Sequence, residues 1–382
     1  MLTRRRFVQA AAPLVVPASV FGANEKIQFG LIATGNRGRG LLGAFQKCGA
    51  QCVALCDVYE PHLSEARGMV ANDCDTFTDY RRLLEKKGLN AVVIASPDHQ
   101  HKPMLMAALE AGLDTYLEKP LSMSLADSEE MVRTRWRTNR VVQIGMQRRS
   151  MNFIRQAKKL VDDGTLGKIS MVKAMWNWHF DLPLSNQPLE GKLDWQGFLG
   201  PAPNRALEPK RFRWWRGFWD YSGGNMTDQG THLMDVVQWM TGSGAPIRAV
   251  ANGRVEGVDC EVPNVFTAVF EYPSFLATWT LNYRTTHEFD WSITFHGENA
   301  AMVMDRQGYR IYKDGGLSQQ PWSWRGAPEM IGHLPDTDPP EAHQQNFLDC
   351  LRTRAEPNCP LEVAAQAVAG PHMANRALRQ QA

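Results

Sequence analysis

The sequence predicts an α/β chain in two parts, a parallel, doubly wound sheet followed by an α+β unit with an open, mostly antiparallel sheet. Three observations predict this. From Lys26 to Ile144, short apolar runs alternate with helical stripes, the pattern of strands joined by crossover helices. Beyond about Gln147 that alternation stops, and five period-2 stretches follow one another with no helix between them, as antiparallel strands do. A chain of 382 residues is also too long for one small core.

Composition narrows the function classes. Hydrophobic residues at 43% and charged residues at 21% are ordinary for a globular protein. The formal charge of +2 comes from interspersed acids and bases, so no basic face marks a nucleic-acid partner. Seven Cys are an odd count without a C-x-x-C pair, which supports neither a zinc site nor a redox dithiol. Tryptophan is the outlier, with 12 copies.

The elements divide into segments 1–23, 24–146, 147–340 and 341–382. The first begins Thr3-Arg4-Arg5-Arg6-Phe7 and continues into an apolar stretch broken by Pro13 and Pro17. It resembles a twin-arginine export signal, too short to count as a spanning helix. The resemblance implies a folded, cofactor-loaded protein delivered to the periplasm without a stable membrane span. The second segment supplies about six strands. These run Ile27–Ala33, Gln51–Cys56, around Thr76-Phe77, Ala91–Ala95, Thr115–Leu117 and Val141–Ile144, with helices between them. The third contributes a helix around Phe153–Asp162, a strand Ile169–Trp178 and a helix Met226–Met240. Period-2 runs at 248–255, 265–272, 276–283, 291–296 and 301–305 complete it. Residues 315–340, rich in Gly, Pro and Trp, read as a long surface loop. The tail is helical and is expected to pack back on the first unit.

Between the first strand and helix lies Ala33-Thr34-Gly35-Asn36-Arg37-Gly38, and Asp57 ends the next strand. Glycines let backbone approach a pyrophosphate, and the helix N-terminus offers N–H groups to it. Asp57 would accept from ribose hydroxyls and would repel a 2′-phosphate, favouring NAD over NADP. Ala33 stands where the usual pattern has its first glycine; it is tolerable there if its φ is negative. Together these define a Rossmann dinucleotide-binding domain.

Asp228 and His232 are four residues apart and share one helical face, with Leu233, Val236, Val237 and Met240 on the opposite one. The polar pair is therefore expected to face the cleft. His99 and His101 flank Gln100 without a third ligand at a convincing spacing, so no metal is expected.

Three further segments carry a family resemblance: Ala95-Ser96-Pro97-Asp98-His99, Glu118-Lys119-Pro120, and Gly223-Gly224-Asn225-Met226-Thr227-Asp228-Gln229-Gly230-Thr231-His232. Together they resemble the glucose–fructose oxidoreductase/inositol dehydrogenase (Gfo/Idh/MocA) family across the whole mature chain. The stretches Leu193–Pro201 and Asn346–Cys350 look like its exported branch. The resemblance implies that Lys119 lies by the nicotinamide and touches the reacting oxygen. It also implies a cis peptide before Pro120, His232 as general base, and Asp228 holding the substrate hydroxyl or orienting the imidazole. An unperturbed imidazole pKa near 6.5 would suit that base at neutral pH. Gly35, Asn36, Arg37, Gly38, Asp57, Ser96, Pro97, His99, Glu118, Lys119 and Pro120 are the expected cofactor residues. Gln147, Arg148, Trp176 and Trp214 are substrate candidates, the last from the Arg- and Trp-rich run 211–220.

The implied activity is hydride exchange between nicotinamide and a hydroxyl carbon of a sugar or polyol, in a homodimer or homotetramer paired through the open sheet. Two alternatives remain: a redox-neutral hydrolase, lyase or epimerase using transient oxidation, and a non-catalytic sugar-binding protein.

Overall fold

A computed structural model describes residues 26–179, 184–313, 329–337 and 339–380. The twin-arginine segment lies outside them. In chain order the first unit contains β1 (Gln28–Ile32), α1 (Asn36–Lys47), β2 (Gln51–Cys56), α2 (Glu60–Gly68), β3 (Asp75–Phe77), α3 (Tyr80–Leu84), β4 (Ala91–Ile94), α4 (His101–Glu110), β5 (Asp114–Leu117), α5 (Leu125–Trp136) and β6 (Val142–Ile144). All its strands pair in parallel, in the order β3-β2-β1-β4-β5-β6. The order reverses between β1 and β4, and in such sheets the crevice at the strands' C-terminal ends there is where ligands bind.

The second unit contains α6 (Asn152–Asp162), β7 (Ile169–Asn177), α7 (Trp195–Leu199), α8 (Pro209–Arg213), α9 (Gly224–Thr241), β8 (Arg248–Arg254), β9 (Val265–Glu271), β10 (Leu276–Asn282), β11 (Asp290–Gly297), β12 (Ala300–Asp305), β13 (Gly308–Lys313) and β14 (Met330–Pro335). Its sheet runs β14-β13-β12-β11-β7-β10-β9-β8 and is antiparallel except where β7 lies parallel to β10. Two strands depart from the reading above. Part of the expected 315–340 loop is β14, paired with β13, which was not separated from its surroundings either. The cause lies in position: β14 is an edge strand with no buried residue, so its sequence carries no hydrophobic alternation to detect.

Helix α9 packs its apolar face on this sheet. Leu233, Met234, Val236, Val237 and Met240 are buried with Trp279, Phe270 and Phe295 in one core. Each such residue contributes about 1.5–3 kcal/mol, so α9 is a rigid platform for whatever its first turns carry. After the sheet come α10 (Ala342–Thr353) and α11 (Leu361–Arg379). Helix α10 and the start of α11 lie in the first unit's cores, through Phe347, Leu348, Leu351, Leu361, Ala364 and Val368. The end of α11 enters the second unit's core through Ala374 and Leu378. This helix therefore clamps both units around the cleft.

Candidate active site

The turn after β1 is shaped by close backbone approach. A Cβ on Gly38 would stand 2.1 Å from the Ala33 carbonyl oxygen, so only glycine fits. Ala33 itself has φ +67. That corrects the expectation of a negative φ: the chain must turn sharply after β1, and the Ala33 N–H still reaches the Cys56 carbonyl at 2.8 Å. Gly35 caps α1 without a side-chain hydrogen bond, and the first turn holds no acid, leaving its N–H groups and positive potential for an anion. Asp57 Oδ2 accepts from Thr34 N (2.6 Å) and Thr34 Oγ1 (3.1 Å), and Oδ1 accepts from Tyr59 N (2.9 Å). Burial pushes this carboxyl above its ordinary value, opposed by those donors and by His62. A carboxylate offers about four acceptor sites, so with three taken capacity remains for a ribose hydroxyl. These residues fit a dinucleotide.

Across the cleft, Lys119 Nζ donates to Asp228 Oδ1 (2.6 Å) and to the Asp228 carbonyl (3.1 Å). Arg216 Nε donates to the same Oδ1 at 3.2 Å. Burial alone would push the Asp228 carboxyl up, but Lys119 and Arg216 outweigh it and hold it at about 2. His232 is buried, and its Nδ1 has no partner among the described residues. Burial, then the charges of Arg148 and Lys119, lower its pKa well below the ordinary value. The imidazole is therefore neutral throughout the physiological range, a stronger statement than the near-6.5 expectation, which is corrected here. Glycine shapes this wall too: Gly224 has φ +63, and a Cβ there would lie 1.9 Å from Val262 Cγ1.

A sequence model described as "Oxidoreductase family, NAD-binding Rossmann fold" matches residues 27–146, and the C-terminal domain model of the same GFO/IDH/MocA family matches residues 154–303. The chain belongs to the Gfo/Idh/MocA family. It binds NAD through the first domain, as the family does. Among curated relatives, a 2,7-anhydro-N-acetylneuraminate hydratase of Mediterraneibacter gnavus is 36% identical over 25% of this chain and 26% of its own length. An inositol 2-dehydrogenase of Salmonella typhimurium is 30% identical over 32% of this chain and 37% of its own. A glycosyl hydrolase family 109 protein of Stenotrophomonas maltophilia is 32% identical over 36% and 34%. The chain thus matches only about a quarter to two fifths of these relatives. Levoglucosan dehydrogenase in complex with NADH and levoglucosan shares the fold, with TM-score 0.72, 16% identity, and coverage of 94% of this chain and 98% of that one. The WlbA dehydrogenase of Bordetella pertussis with NADH and UDP-GlcNAcA does likewise, with TM-score 0.71, 20% identity, and coverage of 94% and 98%.

In this Gfo/Idh/MocA protein the peptide before Pro120 has the expected form, while several contacts take other forms. Lys119–Pro120 is cis. The Arg37 guanidinium pairs with Glu118 Oε1 (2.6 and 2.8 Å), tying the glycine turn to the Lys119 loop. Asn36 accepts from Arg39 at 2.8 Å. His99 Nε2 lies 2.8 Å from the Phe198 carbonyl, and its ring packs on Phe198 and Tyr221. The buried His101 sits between the Ser96 and Pro120 carbonyls at 3.0 and 2.7 Å, bracing both cofactor loops. Pro97 caps the short turn Asp98–Gln100. Asp228 does not orient His232; it is engaged by the two cations. Asp235 accepts from Arg149 at 2.7 Å. Trp176 lies at the β7 end against Arg148 and Trp178. Half-buried Trp214 packs over Gly217, while Gln147 keeps a buried Oε1 without a partner among the described residues.

Three groups went unassigned in the sequence. Arg216 holds Asp228. Asp98 is buried beside Asp228 and accepts from Ser222 Oγ at 2.7 Å; burial, then Asp228, raises it to about 7. Tyr283 accepts from Gln229 Nε2 and is pushed well above its ordinary pKa by burial and then Asp228. Of these, only Asp98 had a signal, its place just after a parallel strand's C-terminal end.

Proposed function

We propose that this chain oxidises a secondary alcohol of a sugar or polyol, reversibly, using NAD. The observation that carries the reading is the 2.6 Å Lys119–Asp228 pair, which joins the loop after β5 to the first turns of α9 one turn before an uncharged His232 whose Nδ1 has no partner among the described residues. An ammonium has three donors, and Asp228 takes two of them. The third can hold the substrate oxygen, where positive charge favours the developing alkoxide in a site shielded from water. His232, neutral at pH 7, can accept the hydroxyl proton. Arg216 keeps Asp228 ionised and in place, and so fixes where the Lys119 charge sits. NAD, when bound, supplies the two-electron acceptor that turns the alcohol carbon into a carbonyl.

Incubating the purified protein with NAD and a panel of sugars and polyols tests this. Substrate-dependent NADH absorbance is expected, and its absence with every alcohol would overturn the net oxidation. The hydratase and glycosidase relatives favour a second reading, a redox-neutral cycle. Sugar consumed with no net NADH would establish that one instead.

Residues 3–20 support export by the twin-arginine route, testable by fusing residues 1–30 to a folded reporter and measuring periplasmic signal. Outward-facing Val250 and Leu276, 53% and 44% exposed on the second sheet, support a homodimer or homotetramer. Light scattering of the purified protein would measure it.

A further inference from the structure

We infer that the molecule oxidised here carries a carboxylate, and that Arg148 receives it: the guanidinium is buried between the indoles of Trp176 and Trp291 with no carboxylate of the described residues within ion-pair reach. This rests on the alcohol-oxidation reading of the pocket and names its substrate class.

Arg148 is 5% exposed. Its Cζ stands 5.2 Å from the Trp176 ring centre and 4.3 Å from that of Trp291. These two tryptophans face each other across the β7–β11 pair, and the turn holding Arg148, Gln147–Ser150, packs against α9. Indole faces stabilise a cation modestly, but they do not replace an anion, and a buried charge without one is costly. Two carboxylates act on Arg148 from neighbouring elements, Asp290 and Asp235, and the cation Arg306 opposes them. Both carboxylates are already engaged, Asp290 by Arg306 and Asp235 by Arg149. Burial, then Arg306, accordingly pulls Arg148 down to about 9. The adjacent Arg149 makes the contrast: it has its own buried carboxylate and needs no ligand.

The surroundings point the same way. Trp176 Nε1, Gln147 Oε1 and His232 Nδ1 are all buried without a partner among the described residues. Trp176 Nε1 is a donor, and the Arg148 fork is matched to the two oxygens of a carboxylate. Lys119 and Arg216 already share Asp228, which leaves Arg148 without a close anion of its own among the described residues.

The test titrates the NADH-loaded protein with D-glucuronate, D-galacturonate, their uronamides, the matched hexoses and glucose 6-phosphate, followed by tryptophan fluorescence. At least one acid should bind about 30-fold or more tighter than its own amide and hexose, and tighter than the sugar phosphate. Arg148→Gln should bring the acid-to-amide ratio to near unity with NADH affinity unchanged, and Arg148→Lys should retain part of it. No acid exceeding its amide, or a preference surviving in Arg148→Gln, would overturn the inference. Glucose 6-phosphate binding tightest would likewise sink it. Should Arg148→Gln not fold, the acid-to-amide ratio of the wild type and of Arg148→Lys decides. The oxidation reading fails separately: acids bound through Arg148 but never reducing NAD would keep Arg148 as a carboxylate site while refuting oxidation as the reaction.

Discussion

At the cofactor-side wall of the cleft the chemistry is done by backbone, whereas at the substrate-side wall it is done by side chains. The turn after β1 offers N–H groups, a glycine that admits no Cβ, and a carboxylate locked by two neighbouring loops. The opposite wall gathers Lys119, Arg216, Asp228, His232 and Tyr283 from the ends of β5, α9 and β10 and from the loop before α9. A backbone site binds by shape and fixed dipoles and varies little with pH. A side-chain site is set by how buried charges are paired, so single substitutions should move its chemistry more than its fold.

The largest expected effect is on that second wall. His232→Ala and Lys119→Ala should each lower kcat by about 10²–10⁴-fold, the usual worth of a positioned base or of an electrostatic donor. NADH affinity should stay within a few-fold in His232→Ala. Steady-state rates beside a fluorescence titration of NADH would show the split. If either variant kept its kcat, the contrast between the walls would collapse.

On the first wall the loss should fall on binding and stability. Gly38→Ala forces a methyl group to within 2.1 Å of a carbonyl oxygen, and backbone cannot yield as a flexible side chain would. A destabilisation of about 2–4 kcal/mol is expected, comparable to other strained or overpacked sites, with NAD affinity reduced in parallel. Thermal melts with and without NAD would detect both.

The same difference in material explains what the sequence could reveal. The glycine turn, Asp57, Lys119 and the Asp228–His232 spacing are local patterns, each visible within a few residues of chain. Arg216, Tyr283 and Gln229 become site residues only when remote segments meet, and nothing in their spacing announces it. The edge strand β14 was missed because it buries no side chain. Burial also reset the chemistry of residues whose positions were expected: His232 lost its near-neutral pKa, and Asp228 was engaged by cations rather than by the imidazole.

Asp98 gives a pH-dependent way to sharpen the comparison. Its carboxyl is raised from 3.8 to about 7 by burial and then by Asp228, so the native state holds this proton to higher pH than the unfolded chain does. The stability it contributes is full below about pH 4 and is lost as pH rises to about 7. Asp98→Asn carries no charge at any pH. It should therefore be more stable than wild type by about 4 kcal/mol at pH 8, with the advantage vanishing near pH 4. Denaturant titrations at the two pH values would measure it. An equal difference at both would mean that Asp98 is not the buried, proton-holding group its surroundings make it.

The smallest effect belongs to the backbone wall and tests whether its strain is functional. Ala33 holds φ +67, where a Cβ costs about 1–2 kcal/mol, partly offset because alanine has less freedom to lose on folding than glycine. Ala33→Gly should therefore stabilise the protein by about 0.5–1 kcal/mol, a rise of about 1–2 °C in Tm. NAD affinity should not change, since the Thr34 donors to Asp57 and the open first turn of α1 do not involve the alanine methyl. A loss of NAD affinity in a more stable Ala33→Gly would show that the rigidity of alanine holds the turn in its binding shape. The first wall would then depend on a side chain after all, though one of a single carbon.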